Sequence, residues 1–293
     1  MQVLHVDTGR TMRGGQWQLL LLARGLRARG IEQTLLARGE LLARLQAEGF
    51  AVRPASWWQV RRTPASVVHV HDAHAHTWAV VAGRHPLVVS RRVAFKVKTG
   101  PLSQWKYARA QRFLAVSQFV ADRLIEAGVP AGRVRVVYDG AEAQAETHPI
   151  QPGGTLIVTP YFDDSRKGSV ILKETGLDVK YSSNLPADLK EAKLFVYLTY
   201  EEGLGSAVLL AQAAGVPVVA SRVGGLPEIV LHEETGLLTE NDPAAAKAAI
   251  QRLVGDPALA ARLAGKARRR FHEMFTVDHM VESTVAAYQE LFP

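Results

Sequence analysis

Apolar residues recur along the chain with two alternating periods. Short runs rich in β-branched residues predict strands at Val3–Asp7, Gln33–Ala37, Ala51–Pro54, Val67–His71, Leu87–Ser90, Leu114–Val116 and Val134–Tyr138. Between them lie helical stripes. Gln16–Arg29 carries Leu19, Leu20, Ala23 and Leu26 on one face and is stopped by Gly30. Leu41–Glu48, Thr77–Ala82, Ser103–Arg112 and Gln118–Ala127 repeat the pattern. The alternation resumes with strands at Thr155–Thr159, Asp178–Tyr181, Leu194–Leu198 and Val216–Ala220 and a helix at Ser206–Ala214. From Pro243 to Leu291 the pattern is helical, and Asp242-Pro243 and Asp256-Pro257 each read as an N-cap followed by proline in the first turn.

Alternation of this kind predicts an α/β chain built from two doubly wound, Rossmann-type parallel sheets, each covered on both faces, with a helical C-terminal tail. The polar stretch Glu142–Gly154, with Pro149, Pro152, Gly153 and Gly154, is the expected linker. It divides the chain into domains 1–148 and 149–293, and two such domains in series imply a cleft between them. Ligands of these sheets bind at the carboxyl ends of the strands, so the loops after the strands are where chemistry is expected.

Composition narrows the chemistry. The 293 residues include no cysteine, which excludes a disulfide scaffold, a thiolate zinc site and a thiol nucleophile. No apolar run approaches the ~20 residues of a membrane span, and no basic segment precedes the first strand, so neither a span nor a signal peptide is expected. The fit is to a cytoplasmic protein. The net charge of +7 is unevenly shared: residues 1–148 hold 21 Lys+Arg against 10 Asp+Glu, net +11, and the remainder is net −4. Between Asp72 and Asp122 stand Arg84, Arg91, Arg92, Lys96, Lys98, Lys106, Arg109 and Arg112 with no carboxylate. Such a segment attracts phosphates of any kind, whether nucleic acid, anionic lipid or a phosphorylated substrate. Trp105 and Tyr107, two apart, fall on different helix faces and offer at most one stacking platform, so nucleic acid is not the expected partner.

Several catalytic patterns are absent: no Gly-x-Ser-x-Gly, no Walker A, no complete Gly-x-Gly-x-x-Gly and no His-Glu-x-x-His. His69, His71, His74 and His76 with Asp72 lack metal-ligand spacing, and no metal is expected. The stretch Glu201 to Val230 is the most informative. Gly203 and Gly205 allow a tight turn after a strand, a helix begins near Ser206, and its free N–H groups form an anion site. Glu202, just ahead of the helix, can accept hydrogen bonds from sugar hydroxyls.

This stretch resembles the signature of retaining, nucleotide-sugar-dependent glycosyltransferases of the GT-B fold, family 4 in particular. The residues that carry the likeness are Glu202, Gly203, Gly205, Gly215, Pro217, Val218, Val219, Ala220, Gly224, Gly225, Pro227 and Glu228, followed by Gly236-Leu237-Leu238. In the first half, Gly14-Gly15 resembles the family's paired-glycine loop, Val67-Val68-His69-Val70-His71 its strand ending in histidine, and the block from Phe113 to Asp139 its Ala-Val-Ser…Gly-Val-Pro segment. The resemblance implies an N-terminal acceptor domain and a C-terminal donor domain. It implies sugar transfer from a nucleotide-sugar donor to a glycan or lipid-linked acceptor, with retention and without a cofactor or metal. Carried over residue by residue, it casts Lys167 as the cation at the leaving diphosphate. Glu202 and Arg92 join it as the remaining catalytic candidates, and Gly14, Gly15, Arg166, Gly203, Leu204, Gly205 and Glu228 contact the donor. His71 and Arg91 line the acceptor side. The family histidine after the fifth strand falls in register near Ser90-Arg91-Arg92, where the two guanidiniums are expected to face the cleft and hold an anionic group.

Three departures stand out. Leu210 occupies the position of a carboxylate that grips the donor ribose, Phe162 that of the diphosphate-binding arginine, and the segment between Gly168 and Tyr197 is short for the family. Two lost charge-assisted hydrogen bonds amount to ~3–6 kcal/mol. A non-catalytic GT-B module that binds a glycan, a nucleotide or a partner enzyme is therefore the rival reading. The basic first half suits an acceptor of the lipopolysaccharide or cell-envelope kind, met through peripheral contact with an anionic membrane surface.

Overall fold

The computed structural model describes residues 1–97, 100–143, 156–161 and 168–292. The chain forms two compact units, Met1–Gly140 together with Val277–Pro293, and Ala141–Thr276.

In the first unit, seven parallel strands are laid down as β1 (Gln2–Val6), β2 (Glu32–Ala37), β3 (Val52–Pro54), β4 (Val67–Val70), β5 (Leu87–Arg91), β6 (Arg112–Ala115) and β7 (Val134–Val136). Their spatial order is β3-β2-β1-β4-β5-β6-β7, the doubly wound order that puts helices on both faces. The crossovers are α1 (Gly14–Ala28), α2 (Gly39–Ala47), α3 (Trp57–Arg62), α4 (Ala73–Val81), α5 (Pro101–Ala108) and α6 (Gln118–Glu126). One sheet face carries Val3, Val67, Val88 and Leu114. It is covered by Leu22 and Leu26 of α1 and by Met280, Val281, Ala287 and Tyr288 of the last helix.

The second unit has β8 (Leu156–Pro160), α7 (Ser169–Glu174), β9 (Lys180–Ser182), α8 (Leu185–Asp188), β10 (Ala192–Tyr197), α9 (Ser206–Ala213), β11 (Val218–Ser221), α10 (Leu226–Ile229), β12 (Leu237–Thr239), α11 (Pro243–Gly255) and α12 (Pro257–Met274). Its parallel sheet runs β12-β11-β10-β8-β9. Leu194, Val196 and Val219 bury against Ile250, Leu253 and Leu263 of the long helices. Asp242 and Asp256 cap α11 and α12, accepting from the N–H groups of Ala245 (2.8 Å) and Leu259 (2.9 Å), with proline in the first turn as the sequence predicts.

Two boundaries differ from the sequence reading. The units part at Gly140, and the expected break at 148 lies outside the described residues. The final helix α13 (Val277–Gln289), read as the tail of the second domain, belongs to the first unit. Its apolar stripe closes that sheet face, and Arg29 holds it through Asp278 (3.0 Å) and Arg112 through Glu290 (2.9 Å). Among the described residues no helix is long and apolar enough to cross a membrane.

Candidate functional site

The carboxyl ends of β8, β10 and β11 organise the second unit. Thr199 lies just past β10 and is buried. Its N–H donates to Ser221 Oγ (2.9 Å), Ser221 Oγ donates to Asn241 Oδ1 (2.6 Å), and Asn241 Nδ2 returns to the Thr199 carbonyl (2.9 Å). This ring fixes where the next loop starts. Glu202, half-buried, is then clamped: Oε2 accepts from the Tyr197 hydroxyl (2.5 Å) and Oε1 from the Gly203 N–H (3.0 Å). Burial, and then the Glu202 charge, push the Tyr197 phenol well above its usual range, so it stays a donor. A carboxylate oxygen can accept more than one hydrogen bond, the property a partner for sugar hydroxyls needs.

The glycines of this stretch have internal reasons. Gly205 has φ +105°, and a Cβ there would meet Leu226 Cδ2 at 2.7 Å. Gly224 has φ +57° and lies on the Glu202 carbonyl, which also accepts from the Gly225 N–H (3.2 Å). Gly203, Leu204 and Gly205 are buried and form the turn that starts α9. Glu228 is part-exposed on α10, and its carbonyl accepts from Arg270 (3.0 Å). Leu210 sits part-exposed on α9.

Gly168, φ +46°, precedes α7 and presses on the Leu198 backbone, so the chain entering α7 touches the carboxyl end of β10. A small cleft lies beside it, lined by Thr159, Pro160, Gly168, Ser169, Leu172, Tyr181 and Leu198. Lys167, Arg166 and Phe162 lie outside the described residues.

In the first unit, Gly14 and Gly15 are the first residues of α1. Neither has positive φ, and a Cβ on either would meet nothing within 4 Å. Intramolecular packing therefore gives no reason for glycine at these two positions. Gln16, one turn in, donates to both oxygens of Asp7 (3.0 Å each) at the end of β1. Burial raises the Asp7 carboxyl, with the Gln16 bond opposing.

The strand ends β4, β5 and β7 carry a buried polar file. Parallel register sets His5 of β1 beside His69 of β4. His71 Nδ1 receives a guanidinium N–H from Arg92 (3.3 Å), and Arg92 Nε donates to Asp139 Oδ1 (3.0 Å). Arginine has no acceptor, so His71 Nδ1 is the bare nitrogen and Nε2 carries the proton. That N–H points to His5 Nδ1 (3.0 Å), which fixes His5 as the Nε2–H tautomer. His5 Nε2 is buried without a hydrogen-bond partner. His69 contacts the Tyr288 hydroxyl (2.5 Å) and Ser90 Oγ (2.8 Å). Burial, aided by the Arg92 charge, holds His5 down to about 3 and His69 and His71 well below the usual range. All three are neutral near pH 7.

This geometry corrects two expectations. His71 spends both ring nitrogens inside the unit, so neither remains for an acceptor. Arg91 and Arg92 do not face one place: Arg91 ends β5, Arg92 is the first residue past it, and each takes a different partner. Arg92 turns to Asp139. Arg91 turns the other way, to the Phe95 carbonyl (2.6 Å) and the Tyr107 hydroxyl (3.4 Å). Among the described residues, His5, His69 and His71 are the one group with ligand-type atoms within 4.8 Å of one another. A divalent cation does not suit it: Arg92 stands against His71, and His69 is held by two hydroxyls.

Asp139, Tyr197 and Tyr288 were missed by the sequence reading. Asp139 has a signal, a lone carboxylate just past a parallel strand, and Tyr197 closes the strand before Glu202. Tyr288 has none, since its partner is 219 residues away.

Two family models match. That of glycosyl transferases group 1 covers residues 177–270, and that of glycosyltransferase family 4 covers residues 12–144. In both units the chain is similar to family 4-like glycosyltransferases. The D-inositol 3-phosphate glycosyltransferase of Streptomyces avermitilis is 40% identical over 100 residues, 34% of this chain and 21% of that protein. The glycogen synthase of Mycobacterium tuberculosis is 31% identical over 160 residues, 52% of this chain and 39% of that one. The chain thus spans well under half the length of these relatives. The crystal structure of Anabaena HepE in complex with UDP and glucose matches with TM-score 0.85 and 19% identity, over 99% of this chain and 100% of that one. Sucrose-phosphate synthase of Thermosynechococcus elongatus matches with TM-score 0.77 and 16% identity over 99% of each chain. At these identities the likeness establishes the GT-B fold.

Proposed function

We propose that this chain transfers a sugar from a nucleotide-sugar donor, a uridine diphosphate sugar, to a glycan or lipid-linked acceptor with retention of configuration. The observation that carries the reading is the loop after β10. Tyr197 and Gly203 hold the Glu202 carboxylate in one orientation, and Gly205 turns the chain so that α9 starts at the carboxyl end of the sheet. An anion near this first turn gains from the helix dipole. Glycines at 14 and 15 with no packing reason fit a backbone that a ligand approaches closely. HepE, of the same fold, is seen with UDP-glucose. In this reading Glu202 binds the donor sugar, and Lys167, with Arg166 beside it, neutralises charge on the departing diphosphate, a role in which preorganised cations and dipoles replace a metal. Arg92, locked to Asp139 and His71, positions the floor of the first unit's strand ends. The acceptor is of the cell-envelope kind, reached at an anionic membrane face, which the +11 charge of residues 1–148 favours.

One observation favours the rival, a non-catalytic GT-B module that binds a glycan, a nucleotide or a partner enzyme: Leu210 offers no acceptor where the family uses a carboxylate. Hydrolysis and transfer assayed over a panel of nucleotide sugars separates the two. Turnover of a UDP-sugar that drops at least a hundredfold in Glu202→Ala, with UDP affinity changed less, supports transfer. UDP binding without turnover of any donor favours the module, and no nucleotide binding at all refutes transfer and leaves the module only a glycan or a partner enzyme to bind.

A further inference from the structure

Helix α5 is turned inside out. None of its residues is fully buried, and the ones that face the protein are Ser103, Lys106 and Tyr107. Lys106 sends its ammonium inward to the Ala73 carbonyl (3.1 Å) and the Thr77 hydroxyl (3.2 Å) of α4. The Tyr107 ring stacks on Phe113 at 5.3 Å. The outward stripe is Leu102, Trp105 and Arg109, spaced by three and four. Leu102 is 83% exposed and Trp105 45%. A surface helix ordinarily buries its aliphatic side chains and leaves its ammonium in water. A single exposed leucine needs no account, but an exchange of the two faces does.

The surroundings say what covers the stripe. Arg109 lies over the Trp105 ring at 5.4 Å. Arg91 ties the preceding loop to α5 by its bonds to Phe95 and Tyr107, and that loop exposes Val93 and Lys96. No carboxylate occurs between Asp72 and Asp122, so nothing in this part of the chain offsets the cations. We infer that the Leu102–Trp105 face of α5 docks on an anionic lipid bilayer, with both side chains at the boundary of headgroups and acyl chains and Lys96 and Arg109 against lipid phosphates. This deepens the membrane part of the proposed function and uses none of its donor chemistry. Tryptophan and cation-flanked aliphatic side chains suit that boundary. A nucleic acid would engage the cations and leave Leu102 in water.

The test is co-sedimentation with vesicles of phosphatidylglycerol mixed into phosphatidylcholine, against phosphatidylcholine alone, with UDP binding measured on the same proteins. The expected result is binding to the anionic vesicles only, weakening as salt rises. Leu102→Ser with Trp105→Ser should weaken it at least tenfold, and Arg109→Ala about fivefold. Far-UV circular dichroism and UDP affinity should stay at wild-type values, since these side chains are exposed. Equal binding to both vesicle types, no binding to either, or a double serine variant that binds like wild type overturns the inference. So does retention of an oligonucleotide that the double variant holds equally well while vesicles are ignored. Absence of UDP binding in the wild type, with the vesicle results as expected, removes the transferase reading and leaves the membrane face standing.

Discussion

Acid should unfold the first unit well above the range where carboxylates titrate. His5 and His76 are both held near 3 by burial, against 6.5 for a solvated imidazole. Between those values the unfolded chain binds a proton at each site and the folded chain does not, so stability is complete above pH ~6.5 and falls as pH drops. Each site loses about 1.4 kcal/mol per pH unit. At pH ~5 that is about 2 kcal/mol per histidine and about 4 for the pair, a large share of the 5–15 kcal/mol typical of a domain. His69 and His71 shift in the same direction and add to the loss. Asp7 acts the other way, because its raised carboxyl is protonated more readily in the folded state and so favours folding as pH falls. Glu48, lowered by Arg24, loses its contribution only below the ordinary carboxylate range. All five tryptophans fall between Trp17 and Trp105, so fluorescence during urea unfolding reports on this unit alone. The midpoint should fall steadily from pH ~7 to ~5. His76→Phe, matched to its neighbours Tyr107 and Phe113, should shrink the slope by the share of one site. A midpoint that is flat over this interval, or a slope unchanged in His76→Phe, refutes the reasoning.

Three other perturbations bear on the two sites. Gly224→Ala forces a side chain into positive φ and onto the Glu202 carbonyl, and should cost about 2–4 kcal/mol in thermal or urea unfolding while lowering any donor affinity; an unchanged melting temperature would sink this account. Asp139→Ala leaves the Arg92 charge, 15% exposed, without its carboxylate, and should cost about 3–5 kcal/mol, with Asp139→Asn milder in the same denaturation assay. Tyr288→Phe strips one hydroxyl partner from buried His69 and should cost about 1–3 kcal/mol in the tryptophan-detected transition.

The alternation of strand and helix was readable because each element shows its own period. Where elements were missed, local pattern had little to show. Trp57–Arg62 holds one buried residue, Val60, and so has no stripe to detect. Helix α4 begins at Ala73 rather than Thr77 because Asp72 caps it, accepting from the N–H groups of His74 and Ala75, and His74 and His76 disguise the first turn as a polar loop. Strand β12, Leu237–Thr239, is three residues long. The site divides in the same way. Glu202, Gly205 and Gly224 lie within one continuous stretch, and their spacing gave them away. The histidine file depends on pairings no local window contains: register brings His5 to His69 across 64 residues, and α13 brings Tyr288 across 219. The stripe on α13 announced a face to be buried without saying which sheet would bury it. Arg91 and Arg92 are the instructive case. They are adjacent in sequence, so no local pattern separates them, yet Arg91 bonds the Tyr107 hydroxyl of α5 and Arg92 the Asp139 carboxylate past β7. Partners 16 and 47 residues away set the two directions, so neighbouring charges in a sequence are not evidence of a shared binding surface.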